Sequence, residues 1–253
     1  MDESAMFSLM VDLHRDGERQ GPGGKEQTSL ALKLSGIDPE SKVEVADIGC
    51  GTGASTLVLA DNLPKARITA VDLFLEFLKV LEDRAREAAC SDRVLPTEGS
   101  MEALPFADES LDLIWSEGAI YNVGFSKGVE SWRRFLRPSG VLAVSEITWL
   151  HPDPPDDIRR FWETEYPEIA TASAKITILE RAGYDMLGYF VLPPDCWIDN
   201  YYRPTEARIS DFLRRHAGQP EADELVKMER QEAAMYERCR RIYSYGFYVA
   251  RKR

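Results

Sequence analysis

The sequence predicts an α/β protein built on a doubly wound parallel sheet. Short apolar runs recur between residues 43 and 147, helical segments alternate with them, and the first run enters a glycine-rich turn that opens a helix. Strands alternating with helices call for parallel βαβ units. Ligands of such sheets bind beyond the carboxyl ends of the strands, so the residues just after each strand are the ones to read for chemistry.

Met6, Phe7, Met10, Val11 and His14 recur at helical spacing near the start of the chain, GPGG at 21–24 interrupts, and residues 28–37 read as helix again. Strands are expected at 43–48, 67–71, 93–95, 111–115 and 141–147, the last following the Pro138-Ser139-Gly140 turn. Helices are expected at 54–63, from 74 to about 90 with Phe77, Leu78, Leu81 and Ala85 on one face, and at 127–136. Beyond a proline-rich loop at 151–157, helices read at 158–166 and 171–182, a strand at 183–193, a helix around Ile209, Phe212 and Leu213, a longer one from 220 to 242, and a last strand at 245–250. Leu225, Met228, Met235, Cys239 and Ile242 form an apolar seam on the long helix, interrupted by Glu232. Packing on the protein's own cap or sheet is the simpler use of that seam, and a homodimer contact is the alternative.

With 253 residues the chain suits one large domain carrying an inserted cap. The division expected is an N-terminal lid segment at 1–40 and a main domain at 41–253, with a helical insertion near 203–242. A net charge of −12 and a pI near 4.9 argue against a polyanionic partner such as nucleic acid. The basic clusters Arg133, Arg134, Arg137 and Arg251, Lys252, Arg253 read as solvated faces. Four cysteines without CxxC pairing suit a reducing compartment. With neither a leader-like start nor an apolar run of spanning length, the expectation is a soluble cytoplasmic protein without a membrane partner. No cluster of His, Cys and carboxylates has metal-ligand spacing, so no metal is expected.

The glycine turn lies in VADIGCGTGAS at 45–55. Gly49, Gly51 and Ala54 fit the pattern that cradles a dinucleotide pyrophosphate, which would make an NAD-dependent oxidoreductase. The same letters suit S-adenosylmethionine (SAM). Asp72 ends the second strand about 20 residues beyond the loop, where a carboxylate takes both hydroxyls of a ribose in either cofactor; capping the next helix is its plainer use. Asp47 discriminates. A phosphate gains nothing from a carboxylate beside the glycines, whereas a sulfonium and an α-ammonium do.

VADIGCGTG resembles the first motif of the class I SAM-dependent methyltransferases, AVD at 70–72 the second, EGSMEALPFADESLDLIWSEGAIYNV at 98–123 the adenine loop and fourth strand, and RPSGVLAVSE at 137–146 the turn and fifth strand. The resemblance implies a Rossmann-like sheet of seven strands with an antiparallel last strand, and SAM as cofactor. It implies cofactor contacts at Asp47, Gly49, Gly51, Gly53, Asp72 and Leu73. Ser100 stands where many relatives carry an Asp, so Ser100 and Met101 would meet the adenine through a hydroxyl, backbone groups and an apolar face. RQGPGG at 19–24 resembles an N-terminal lid segment of small-molecule methyltransferases, with Arg19 a candidate for the methionine carboxylate.

SEGAIYN at 116–122 follows the fourth strand, which in that family faces the transferable methyl. Glu117 is read as base, substrate anchor or contact to the methionine ammonium, and Tyr121 as hydrogen-bond donor or packing surface for the acceptor. These two are the catalytic candidates. Glu146 and His151 follow the fifth strand and rank below them, and His14, on an apolar helical face, reads as core. Trp149, Phe161, Trp162, Tyr166, Trp197, Tyr201 and Tyr202 are expected around a small apolar, aromatic or cationic acceptor, or as packing for the cap. The function expected is methyl transfer from SAM to a small molecule, against an NAD-dependent oxidoreductase or a SAM-binding protein without catalysis.

Overall fold

A computed structural model describes residues 3–253. Met1 and Asp2, the start of the expected lid, lie outside the described residues. The central sheet holds β1 (Glu44–Ile48), β2 (Arg67–Asp72), β3 (Val94–Glu98), β4 (Leu111–Glu117), β5 (Leu136–Trp149), β7 (Tyr184–Val191) and β8 (Tyr243–Lys252), in the order β3-β2-β1-β4-β5-β8-β7. β6 (Ala170–Thr171) adds a two-residue pairing to the end of β5. β1 to β5 run parallel, and β8 lies antiparallel between β5 and β7. The Rossmann-like sheet with an antiparallel last strand is therefore present as expected.

Side-chain alternation explains why both faces are covered. Along β1, Val45 enters one apolar cluster while Ala46 and Ile48 enter the other. On β4, Leu113 and Trp115 join the first and Leu111 and Ile114 the second. Strands buried on both faces carry apolar residues at both parities, which is the near-continuous hydrophobic run the sequence displays. The first cluster takes Ala31 and Leu32 from α2 (Lys25–Ser35), Leu59 and Ala60 from α3 (Ala54–Asn62), and Leu78 and Leu81 from α4 (Leu75–Glu87). The second takes Phe125, Val129 and Trp132 from α5 (Phe125–Trp132) and Leu179 from α7 (Ala172–Arg181), a helix that follows α6 (Asp156–Glu165). β5 begins earlier than periodicity predicts: Leu136 already pairs with Leu111, and Ser139, at φ +64°, forms an irregularity within the strand.

The connection between β7 and β8 carries α8 (Asp195–Trp197), a wide helical turn at Ile198–Tyr202, α9 (Arg203–Arg215) and α10 (Pro220–Cys239). α1 (Glu3–His14) packs onto α9 and α10 through a separate small core: Leu9 and Leu13 meet Ile209, Phe212, Ala222, Leu225 and Val226. Asp12 of α1 accepts from Arg215 at 2.7 Å and pairs with His216 at 2.8 Å, closing the same junction. The N-terminal helix and the late helical insertion thus form one cap over the carboxyl edge of the sheet. The apolar seam of α10 divides: Leu225 belongs to the cap core, Cys239 to the main core, and Met228 is exposed. All four cysteines are buried free thiols, and no described helix is long and apolar enough to cross a membrane.

Candidate active site

Under the cap, at the carboxyl ends of β1, β2 and β4, lies a cavity of about 500 Å³, within the roughly 300–1,000 Å³ range of small-molecule sites. Its floor is the β1–α3 turn. Gly49 and Gly51 have φ of +73° and +55°, a region that side chains rarely adopt. A Cβ at Gly49 would collide with Ala119, and one at Gly51 with the Gln20 amide. The glycines let the backbone itself form the cavity wall.

Asp72 holds this turn from the end of β2. Its Oδ2 accepts from Gly51 N at 2.8 Å and its Oδ1 from Phe74 N at 3.0 Å. Each carboxylate oxygen keeps acceptor capacity, and Asp72 lines the cavity together with Leu73, Ser100 and Met101. Burial pushes its carboxyl above the usual range, partly offset by the backbone donors. Asp72 thus ties the glycine turn to the start of the segment that leads into α4. Leu73 is 57% exposed and, with Phe74, Phe77 and Met101, gives this part of the cavity an apolar wall. Ser100 Oγ accepts from Glu102 N, so its hydroxyl is already engaged in shaping its loop.

The segment joining α1 to α2 is strapped across the turn. Gln20 Oε1 accepts from Thr52 N at 2.8 Å, and Thr52 Oγ1 donates to the carbonyls of Gly17 and Glu18. Arg84 of α4 donates to the Gly17 carbonyl and to Thr52. Arg19 Nη1 lies 2.8 Å from Glu117 Oε2, with both side chains at most 9% exposed. Glu117 Oε1 also accepts from Thr28 at 2.6 Å and from the Trp115 indole at 3.0 Å. Both oxygens of Glu117 are therefore taken up by partners within the chain. Arg19 donates to Glu117 and Thr28 and keeps further N–H groups at the cavity wall.

Two expected contacts stand back from the cavity. Asp47 is 0% exposed and is absent from the lining: its Oδ2 accepts from Ser55 at 2.9 Å and Thr56 at 2.6 Å, fastening the first turn of α3 to β1. Its Oδ1 is buried without a partner, and burial raises its pKa to about 7. Gly53 caps α3 and faces Leu81, also off the lining. A strand residue two places before the loop points down into the sheet–helix junction, a direction spacing alone does not reveal.

The outer end of the cavity is formed by Tyr121 and Asn122 after β4, Tyr201 from the turn before α9, His14 from α1, and Glu229 and Glu232 from α10. Tyr121 is 41% exposed, and desolvation with nearby Glu232 raises its pKa, which keeps the phenol protonated. His14 Nε2 pairs with Glu229 at 3.1 Å, and its ring stacks on Tyr201 at 5.9 Å. Tyr202 donates to Glu232 at 2.9 Å. Burial and Glu229 lift the Glu232 carboxyl to about 7. Of the aromatics expected around an acceptor, Tyr201 alone reaches the lining. Trp197 stacks on Tyr236 at 4.3 Å in the core, and Trp149 and Trp162 pack on Tyr243. The signal for Glu232 was its interruption of the α10 seam. His14 sits in the cap and lines the cavity at once, so a core reading captures half of its role. His151 lies exposed, away from the cavity, and Glu146 is fully buried against Lys175 at 2.8 Å.

A family model described as "Methyltransferase domain" matches residues 46–144, from β1 through β5. Residues 46–144 thus carry a methyltransferase domain. A trans-aconitate 2-methyltransferase from Escherichia coli is 28% identical over 87% of this chain and 82% of its own length. A malonyl-[acyl-carrier protein] O-methyltransferase from Dechloromonas aromatica is 31% identical over 48% of this chain, a match that spans only 43% of that relative. In structure the chain is similar to a SAM-dependent methyltransferase from Geobacter sulfurreducens in complex with S-adenosylhomocysteine, with a TM-score of 0.83, 21% identity and 98% of each chain covered. For this methyltransferase the cofactor is SAM, which supplies an electrophilic methyl group on a sulfonium. The residues present suit it: a backbone cradle, an acid at the end of β2, and a partly free guanidinium on the facing segment.

Proposed function

We propose that this methyltransferase moves the methyl group of SAM to a small-molecule acceptor held at the outer end of the cavity. One observation carries the reading: a single cavity runs from the glycine turn and Asp72 to Tyr121, Tyr201 and Glu232 under the cap. In this reading Asp72 takes the ribose hydroxyls, Leu73 and Met101 flank the adenine, with Ser100 beside it, and Gly49 and Gly51 approach the methionyl chain. Arg19 takes the methionine carboxylate, and Glu117 holds Arg19 in place. Methyl transfer is an in-line displacement, so alignment and exclusion of water are the main contributions of the protein. The cap supplies both. Tyr121 donates its O–H toward the acceptor.

Size and charge support a small acceptor over a nucleic acid. The net charge is −12, and Arg19 is the sole Lys or Arg among the residues that line the cavity. Calorimetric titration with SAM, S-adenosylhomocysteine and NAD tests the cofactor. Binding of the first two without NAD is expected, and NAD binding alone would return the chain to the oxidoreductase reading. Turnover of labelled SAM against a metabolite library tests transfer; an enzyme inert across it while holding SAM would favour the binding protein without catalysis.

A further inference from the structure

The outer end of the cavity carries a charge pattern that selects among acceptors. Arg19 is paired with Glu117 and His14 with Glu229. Among the described residues Glu232 makes no ion pair; its hydrogen bond comes from the Tyr202 hydroxyl, and His14, already paired with Glu229, lies within electrostatic reach. Arg208 lies within electrostatic reach of Glu229, yet it turns to the Leu13 carbonyl and Thr205 and stays off the lining. Tyr121 and Tyr201 line the cavity with Glu232 and lie within its electrostatic reach, and the Tyr201 ring stacks on His14. His14, 5% exposed and part of the lining, keeps Nδ1 without a partner. A carboxylate or phosphate acceptor needs a cation opposite it, and among the described residues that line this end the one candidate, His14, is engaged by Glu229. An ammonium finds a carboxylate and two aromatic side chains in the lining, the two kinds of group that hold organic cations.

We propose that the acceptor is a small primary or secondary amine, bound as its cation against Glu232 between Tyr121 and Tyr201, and that its nitrogen receives the methyl. This rests on the methyltransferase reading above. The ammonium gives one proton to the Glu232 carboxylate, which becomes a neutral acid. The freed lone pair on nitrogen forms the N–C bond to the methyl group as the C–S bond breaks, and that electron pair stays on sulfur as a neutral thioether. The product leaves as a methylated ammonium, and Glu232 returns its proton to solvent.

The test uses matched pairs of probes on the full chain saturated with S-adenosylhomocysteine: methylammonium against acetate, phenethylammonium against phenylacetate, and trans-aconitate as a polyanion. Titration calorimetry is expected to show at least one amine binding tenfold or more tighter than its matched acid. Glu232→Gln, which keeps a partner for Tyr202, is expected to weaken that amine by about 10- to 100-fold, with S-adenosylhomocysteine affinity unchanged as the check on folding. Equal affinities within both pairs (including no binding by either member), tighter binding of an acid or of trans-aconitate, or an amine preference that survives Glu232→Gln would each overturn the assignment. Wild-type protein that fails to bind S-adenosylhomocysteine would instead remove the methyltransferase reading itself.

Discussion

The Arg19 guanidinium and the Glu117 carboxylate meet at 2.8 Å, tying the segment between α1 and α2 to the end of β4. Ninety-eight positions separate the two residues in the chain. The pair makes Glu117 a fixture of the closed cap, with Thr28 and Trp115 as its further donors.

Glu117→Gln keeps the size of the side chain and removes the charge that holds Arg19. SAM affinity is expected to fall about tenfold, the loss of one charge-assisted interaction. Trypsin cleavage at Arg15 and Arg19, and amide exchange across 15–24, should quicken in the same variant. Unchanged affinity with turnover down by about 10²–10⁴ would instead give Glu117 a role on the acceptor.

Asp72→Asn replaces an acceptor of several hydrogen bonds by a group with one oxygen. Gly51 N and Phe74 N each rely on a separate oxygen of Asp72, so one of them faces an amide donor in the variant. SAM binding is expected to weaken by about 10- to 100-fold, with a fall in Tm of a few degrees from the loosened turn. Affinity equal to wild type by calorimetry would remove Asp72 from the ribose.

Asp47 gives the fold a pH dependence. Its pKa is about 7 in the folded chain against 3.8 for a free aspartate side chain, so between those values the folded state holds the extra proton. The stabilisation is complete below about pH 4, declines as pH rises to about 7, and is absent above. Asp47→Asn mimics the protonated acid at every pH. The variant should therefore melt higher than wild type at pH 8, by at least about 3 °C, with the gap closing toward pH 4. A gap that is constant with pH would mean that Asp47 is not the titrating group.

Lys175 and Glu146 form an ion pair with neither side chain exposed, and the ammonium lies 4.4 Å from the Phe125 ring centroid. Burial pushes the Glu146 carboxyl up and the Lys175 ammonium down. Lys175→Met alone strands a buried acid and is expected to cost about 3–5 kcal/mol, whereas adding Glu146→Leu should recover most of that. Urea midpoints of the two variants check it, and a double variant no more stable than the single one would contradict the account.

The part of the site legible from the sequence is the part built by short-range rules. Gly49 and Gly51 announce a backbone cradle because only glycine tolerates those φ values beside a ligand. Asp72 is legible because strand, turn and acid stand in one βα unit. Asp47 misled for an equally local reason: its spacing is right, but its direction is set by the Ser55 and Thr56 hydroxyls of the next helix. Trp149, Trp162, Trp197 and Tyr202 stayed open between acceptor and packing because an aromatic in a cap can face the ligand or the core, and here they pack in or against the core.

Periodicity, glycine chemistry and strand–helix alternation settled the sheet from β1 to β5 and the end at which it binds its cofactor, since each acts over a few residues. His14, Tyr121, Tyr201, Glu229 and Glu232 come together only when α1 docks on α9 and α10 through Leu9, Leu13, Ile209, Phe212 and Leu225. Apolar side chains drive that docking without direction, so the pattern that buries the cap does not say which polar groups it carries over the cavity. Packing decided that this end of the cavity would bring tyrosines, a histidine and two carboxylates together.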